Sequence, residues 1–268
     1  MPSPNPAWET KPLAAGLYLV ATPIGAARDI TLRALDILAS ADVLAAEDTR
    51  TLRHLMEIHG IPLNGRPVIP CHDHNEAAAA PRLLRAVAEG KSVAYASEAG
   101  TPLVSDPGFV IARAAVAEGL PVRAAPGASA VLCALAVAGL PSDRFHFAGF
   151  PPATRAARLR FLEELRAVQA TLILYESPRR LAALLADAAS VLGAGRDAAI
   201  CRELTKRHEE VTRAPLGRLA EIHAQTEVKG EVVVVIDRAA PERADSATWA
   251  DALDQALLTL SVKDAAAM

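Results

Sequence analysis

The chain has 268 residues, enough for two domains of ordinary size, and 51% of them are hydrophobic against 22% charged. That balance excludes disordered and fibrous classes, and a formal net charge of -3 gives no global attraction to nucleic acid. The three cysteines, Cys71, Cys133 and Cys201, form neither a CxxC pair nor an even disulfide framework, which points to a reducing, cytoplasmic setting.

The chain opens on MPSPNPAWETKP, polar and proline-rich, so residues 1–15 read as a loose tail and not as a signal peptide. Residues 17–21 read as a first strand entering the turn Thr22-Pro23-Ile24-Gly25. A helix over 31–40 follows, with Leu32, Leu35, Ile37 and Leu38 on a helical period. Strands are expected over 43–46, ending in Glu47-Asp48-Thr49-Arg50, and over 68–70, before His72-Asp73-His74-Asn75-Glu76. Residues 76–89 read as a helix stopped by Gly90, 92–96 as a strand and 97–108 (SEAGTPLVSDPG) as a loop. A helix over 109–118 and a strand over 122–125 close the first half.

The rhythm restarts after Pro126-Gly127: helix 130–138, strand 145–148, helix 155–168, strand 171–175, helix 179–192, and strands 198–202 and 231–236. A polar break then leads to a helical segment over 248–260. Alternating strands and helices define an α/β protein. Its expected organisation is an N-terminal α/β domain over 16–125, a C-terminal one over 126–238, and a linker with a short helical tail over 239–268. The longest apolar stretch, 128–140, is too short to span a bilayer.

Polar and glycine-rich segments fall after most strands, where open parallel sheets bind ligands. There is no GxGxxG fingerprint and no P-loop, which disfavours dinucleotides and triphosphates. In SEAGTPLVSDPG, Gly100 and Gly108 permit close backbone approach, Pro102 and Pro107 stiffen the turns, and Thr101 and Asp106 offer a hydroxyl and a carboxylate. Composition alone fits an ordinary capped loop equally well.

The ordered series TPIG (22–25), AEDTR (46–50), HDHNE (72–76), SEAGTPLVSDPG, PGASA (126–130), GLP (139–141), YESPR (175–179) and RELTK (202–206) resembles the tetrapyrrole methylase family, in its ribosomal RNA small subunit methyltransferase I branch. The resemblance covers residues 17–237. It implies two α/β domains with S-adenosylmethionine in the cleft between them, a homodimer, and methyl transfer to the 2′-oxygen of a cytidine in the decoding region of 16S ribosomal RNA. The small ribosomal subunit is then the partner, with neither DNA nor membrane involved. Carried over, the cofactor contacts are Pro23 and Ile24; Gly100, Thr101, Pro102, Leu103, Val104 and Asp106; Gly127, Ala128, Ser129 and Ala130; Tyr175; and Gly230, Glu231 and Val232. The chain departs from the family pattern at Ala26, Glu98 and Arg179, where Asn, Asp and His are usual.

A ribose hydroxyl is a poor nucleophile at neutral pH, so a general base is expected. Glu47, Asp48, Asp106, His72, His74 and Glu176 are candidates, with Lys206 as a stabiliser of developing negative charge. The preferred set is Glu47, Asp48, Arg50 and Lys206, against the reading of a salt-bridge network at the domain junction. His72 and His74 have no third ligand at a zinc spacing, so the metal expectation is none. RNA contacts are expected from His72, His74, Arg155, Arg158, Arg179 and Arg207. The rival readings are a tetrapyrrole methyltransferase of the precorrin or uroporphyrinogen type, and a binding module without catalysis.

Overall fold

The computed structural model describes residues 8–226, 228–239, 254–258 and 261. Five parallel strands form the first sheet: β1 (Gly16–Val20), β2 (Val43–Ala46), β3 (Val68–Pro70), β4 (Ser92–Ala96) and β5 (Val122–Ala125), in the order β3-β2-β4-β1-β5. The three inner strands, β1, β2 and β4, are buried on both faces, which is why they read as short continuous apolar runs without alternation, while the edge strands β3 and β5 are partly exposed. Tyr18, Val20, Leu44 and Ala94 face the core under α1 (Leu32–Ser40) and α2 (Thr49–Ile58). Leu17, Val43, Val93 and Tyr95 face the core under α3 (Glu76–Ala88) and α4 (Phe109–Ala117).

Helix α2 was not foreseen from the sequence. Leu52, Leu55 and Met56 are its buried stripe, and Asp48 caps it by accepting from the backbone N–H groups of Arg50 and Thr51. The expected tail is held from residue 8 onward. Trp8 packs on the first core and its indole N–H donates to the His59 carbonyl at 2.9 Å. The remaining tail residues, 1–7, lie outside the described residues, as does most of the helix expected over 248–260, of which 254–257 is helical.

The second sheet is mixed. Its strands are β6 (Phe145–Gly149), β7 (Thr171–Glu176), β8 (Asp197–Arg202), β9 (Glu210–Pro215) and β10 (Val232–Ile236), ordered β6-β7-β10-β8-β9. Only β6 and β7 pair in parallel; β10 lies antiparallel between β7 and β8, and β9 pairs antiparallel with β8. The parallel-sheet rule used above therefore applies to the first sheet alone. Helix α5 (Ala130–Ala138) covers one face, against Ile173, Ala199, Val233 and Val235. Helices α6 (Arg155–Leu165), α7 (Pro178–Leu192) and α8 (Leu216–Ala224) cover the other, against Leu172, Leu174, Ile200 and Val234. Strand β9 and helix α8 were also missed: β9 is a half-exposed edge strand carrying Glu210 and Arg213, without an apolar run to announce it.

The candidate active site in the interdomain cleft

The loops leaving β1, β4 and β5 meet at the carboxyl edge of the first sheet. Thr22 and Gly100 exchange backbone hydrogen bonds at 2.9 and 3.0 Å, and the Thr101 hydroxyl donates to the Ala128 carbonyl at 3.0 Å. The Ser97 hydroxyl donates to the Gly100 carbonyl at 2.7 Å. Gly108 has φ +116, and a Cβ there would lie 2.9 Å from the Tyr95 ring. Leu103 and Ser105 adopt positive φ without being glycine, so this loop is a fixed, strained wall.

Across the cleft, the loop after β1 docks on the turn that follows β8. The Ala26 N–H donates to the Thr205 hydroxyl at 3.1 Å, and a Cβ on Gly25 would lie 2.6 Å from both Thr205 Oγ1 and Lys206 Cγ. Gly25→Ala is therefore expected to push the two sides apart, at about 1–3 kcal/mol by overpacking. A lowered denaturant midpoint would show this, and an unchanged midpoint would mean that the turn yields freely.

Between the two sides lies a cavity of about 390 Å³, within the roughly 300–1,000 Å³ of small-molecule sites. Of the residues assigned to the cofactor from the sequence, Ile24, Gly100, Thr101, Val104, Asp106, Ser129, Ala130, Tyr175, Gly230, Glu231 and Val232 line it. Pro23, Pro102, Leu103, Gly127 and Ala128 are not in the wall. Gly127 instead makes room for packing, since a Cβ there would lie 2.8 Å from that of Ala21. Ala99, Phe150, Glu176, Ser177, Pro178, Cys201, Leu204 and Val233 also line the cavity and were not assigned to the cofactor. Cys201 and Val233 looked like plain strand core, and only the fold shows that their strand ends open on the cleft.

Asp106 is the chemically distinctive wall residue. Burial, followed by the carboxylates of Glu47, Glu98 and Asp73, pushes its pKa up to about 7. Glu47 sits beside it, accepting from the Glu98 N–H at 3.3 Å, and burial holds its own pKa above the usual carboxylate range. Glu176 is buried at the end of β7. Its Oε1 accepts from the Ser177 N–H at 2.8 Å, and its Oε2 lies 3.1 Å from the Arg180 guanidinium without a well-aligned hydrogen bond.

The set Glu47, Asp48, Arg50 and Lys206 is not one cluster. Asp48 and Arg50 hold each other at 2.7 Å at the start of α2, and hydrogen bonds from Arg50 keep the Asp48 carboxyl down at about 2. A carboxylate so held is a weak base. Lys206 pairs with Glu231 at 2.9 Å and Glu203 at 3.1 Å. Burial opposes its charge, but those two partners outweigh it and keep the pKa above the usual lysine value. Lys206 thus ties the turn after β8 to the start of β10.

The RNA candidates divide as well. Arg158 is 5% exposed and pairs with Asp187 at 2.9 and 2.7 Å, joining α6 to α7, so it offers no surface to a polyanion. Arg155 reaches the same carboxylate at 3.1 Å but remains exposed, and Arg179 and Arg207 are exposed. His72 is half-buried and His74 exposed, with their rings 6.1 Å apart.

Residues 16–220 match the model of the family described as Tetrapyrrole (Corrin/Porphyrin) Methylases. The ribosomal RNA small subunit methyltransferase I of Mesorhizobium japonicum is 49% identical over 94% of this chain and 84% of its own length. The protein of that name from Mycobacterium tuberculosis is 46% identical over 93% of this chain and 87% of its own. Among solved structures, a uroporphyrin-III C-methyltransferase from Thermus thermophilus, complexed with S-adenosyl homocysteine, superposes with a TM-score of 0.57. It is 20% identical, covers 83% of this chain and 97% of its own, and bears on the fold alone. With the family model covering the first sheet and four of the five strands of the second, and relatives nearly half identical along almost the whole chain, this protein belongs to the tetrapyrrole methylase family.

Proposed function

We propose that the chain is an S-adenosylmethionine-dependent methyltransferase acting on the 2′-oxygen of a cytidine in the decoding region of 16S ribosomal RNA. The names of the close relatives supply the substrate class, and the cleft supplies the chemistry. The observation that carries the reading is Asp106: a carboxyl poised near pH 7 in the wall of a half-open, mostly apolar cleft.

The cavity suits a ligand that is part apolar and part cationic. Ile24, Val104, Leu204 and Val232 offer an apolar wall for an adenosine, and Glu176 and Glu231 offer carboxylates for positive charge. S-Adenosylmethionine, when bound, supplies an activated methyl group on a cationic sulfur. The protein's part is to align the acceptor oxygen, exclude water and take up the hydroxyl proton. Asp106 takes that proton, and burial, helped by Glu47 and Glu98, keeps its affinity high enough to do so. Asp48, Arg50 and Lys206 hold the surrounding loops.

Exposed Arg155, Arg179 and Arg207, with His72 and His74, remain the proposed RNA contacts. The proposed domains are 16–125 and 126–238, and the proposed setting is the cytoplasm. A homodimer is supported by Phe109 and Val116, 58% and 67% exposed on one face of α4. The test offers tritiated S-adenosylmethionine with small ribosomal subunits, naked ribosomal RNA or a tetrapyrrole precursor. Label on a ribose 2′-oxygen of the small-subunit RNA is expected; label on a base or on the macrocycle overturns the reading.

A further inference from the structure

We propose that Phe150 forms a nucleobase subsite at the mouth of the cleft, on which the base of the acceptor nucleotide stacks while its ribose faces Asp106. The inference rests on the RNA methyltransferase reading above and adds a place for the unpaired pyrimidine.

Phenylalanine ordinarily goes inside, and this chain has few aromatic residues to leave outside. Phe150 is nevertheless 56% exposed while contributing to the cavity wall. It is backed on one side by Tyr175, ring centroids 5.4 Å apart at 64°, and Tyr175 in turn rests against Phe147 at 4.8 Å. The platform therefore has an aromatic foundation that reaches into the second core.

The loop that carries it is fixed. The β6–β7 register shifts between Phe147 and Gly149, and Gly149 turns the chain with φ +69. Pro151 and Pro152 follow, and the Arg180 guanidinium, itself paired with Glu176, donates hydrogen bonds to both proline carbonyls. The exposed ring is thus held in place by one half-buried arginine. A Cβ on Gly149 would lie 3.8 Å from Ser105 Oγ, which sets the loop directly against the turn bearing Asp106. A base lying on the open side of Phe150 has its sugar beside that carboxyl.

Single-stranded or distorted RNA is recognised in this way, by splayed bases stacked on aromatic rings, and a pyrimidine offers the flat face required. Stacking is retained from bound substrate to transition state, so its loss raises KM more than it lowers kcat.

The experiment uses the full chain, Phe150→Ala and Phe150→Trp, with two readouts: methyl transfer to small subunits, and calorimetric binding of S-adenosylhomocysteine. For Phe150→Ala the expected result is a KM for subunits raised about tenfold or more, with cofactor-product affinity unchanged. Phe150→Trp should restore the KM, which a merely structural loop residue would not do. Weakened S-adenosylhomocysteine binding by the same factor would assign the ring to the cofactor and overturn the proposal, as would unaltered kinetics on subunits. If the unmodified protein labels no RNA, the underlying reading has failed, and that outcome is visible before any variant is compared.

Discussion

Asp106→Asn is expected to lower methyl transfer by about two to four orders of magnitude, with S-adenosylhomocysteine binding largely kept. The loss should follow from the pH profile. With a pKa of about 7, Asp106 is protonated below neutrality and becomes a base only above it. The kcat/KM of the unmodified enzyme should therefore rise with pH through about 7 and level off, and the Asn variant should lose that limb. Glu47→Gln removes a neighbouring negative charge, so the limb should move to lower pH. An unmoved limb in Glu47→Gln, or a full rate in Asp106→Asn, would take the proton transfer away from this carboxyl.

Stability separates a catalytic loss from a folding one. Asp106 has a folded-state pKa raised well above 3.8, so the folded chain binds this proton more tightly than the unfolded chain does. Its ionisation thus costs stability as pH rises from about 4 to about 7, and the cost is complete above that window. The Asn variant carries no such charge. At pH 8 it should melt no lower than the unmodified protein, whereas a variant that failed by unfolding would melt lower.

The first domain was largely legible because buried parallel strands are short apolar runs between helical periods, and their loops carry the glycines and prolines of a ligand edge. Asp48 shows where legibility ended. Before a helix an aspartate is a cap or a catalyst with the same letters around it, and only the two backbone N–H groups it accepts from decide. The second sheet was harder because antiparallel neighbours lie far apart in sequence: β10 inserts between β7 and β8, a pairing that no local pattern encodes. Asp106 was visible as a carboxylate in a motif, but its raised pKa comes first from burial and then from the carboxylates of Glu47, Glu98 and Asp73, all of which only the fold arranges. Phe150 was visible as well, yet its exposure is set by Arg180, whose role depends on contacts about 28–29 residues away.

Arg158 makes the same point from the opposite direction, and its removal carries the largest expected loss of stability. On a helix rich in arginine it reads as part of a cationic face, but the turn of α6 aims it inward at Asp187, and both side chains are 6% exposed. A buried charge left without its partner costs about 3–5 kcal/mol, so Arg158→Ala should lower the denaturant midpoint strongly. Arg155 relieves part of that cost, since it already touches the other oxygen of Asp187 at 3.1 Å. Replacing both partners with apolar residues, Arg158→Met with Asp187→Leu, should recover much of the loss, because the penalty belongs to the unpaired charge. RNA affinity reports a different quantity. Arg207→Ala removes an exposed cation and should reduce the salt dependence of subunit binding by roughly one counterion. Folded Arg158→Ala should leave that slope unchanged; a slope reduced equally in both variants would return Arg158 to the RNA face and overturn the structural assignment.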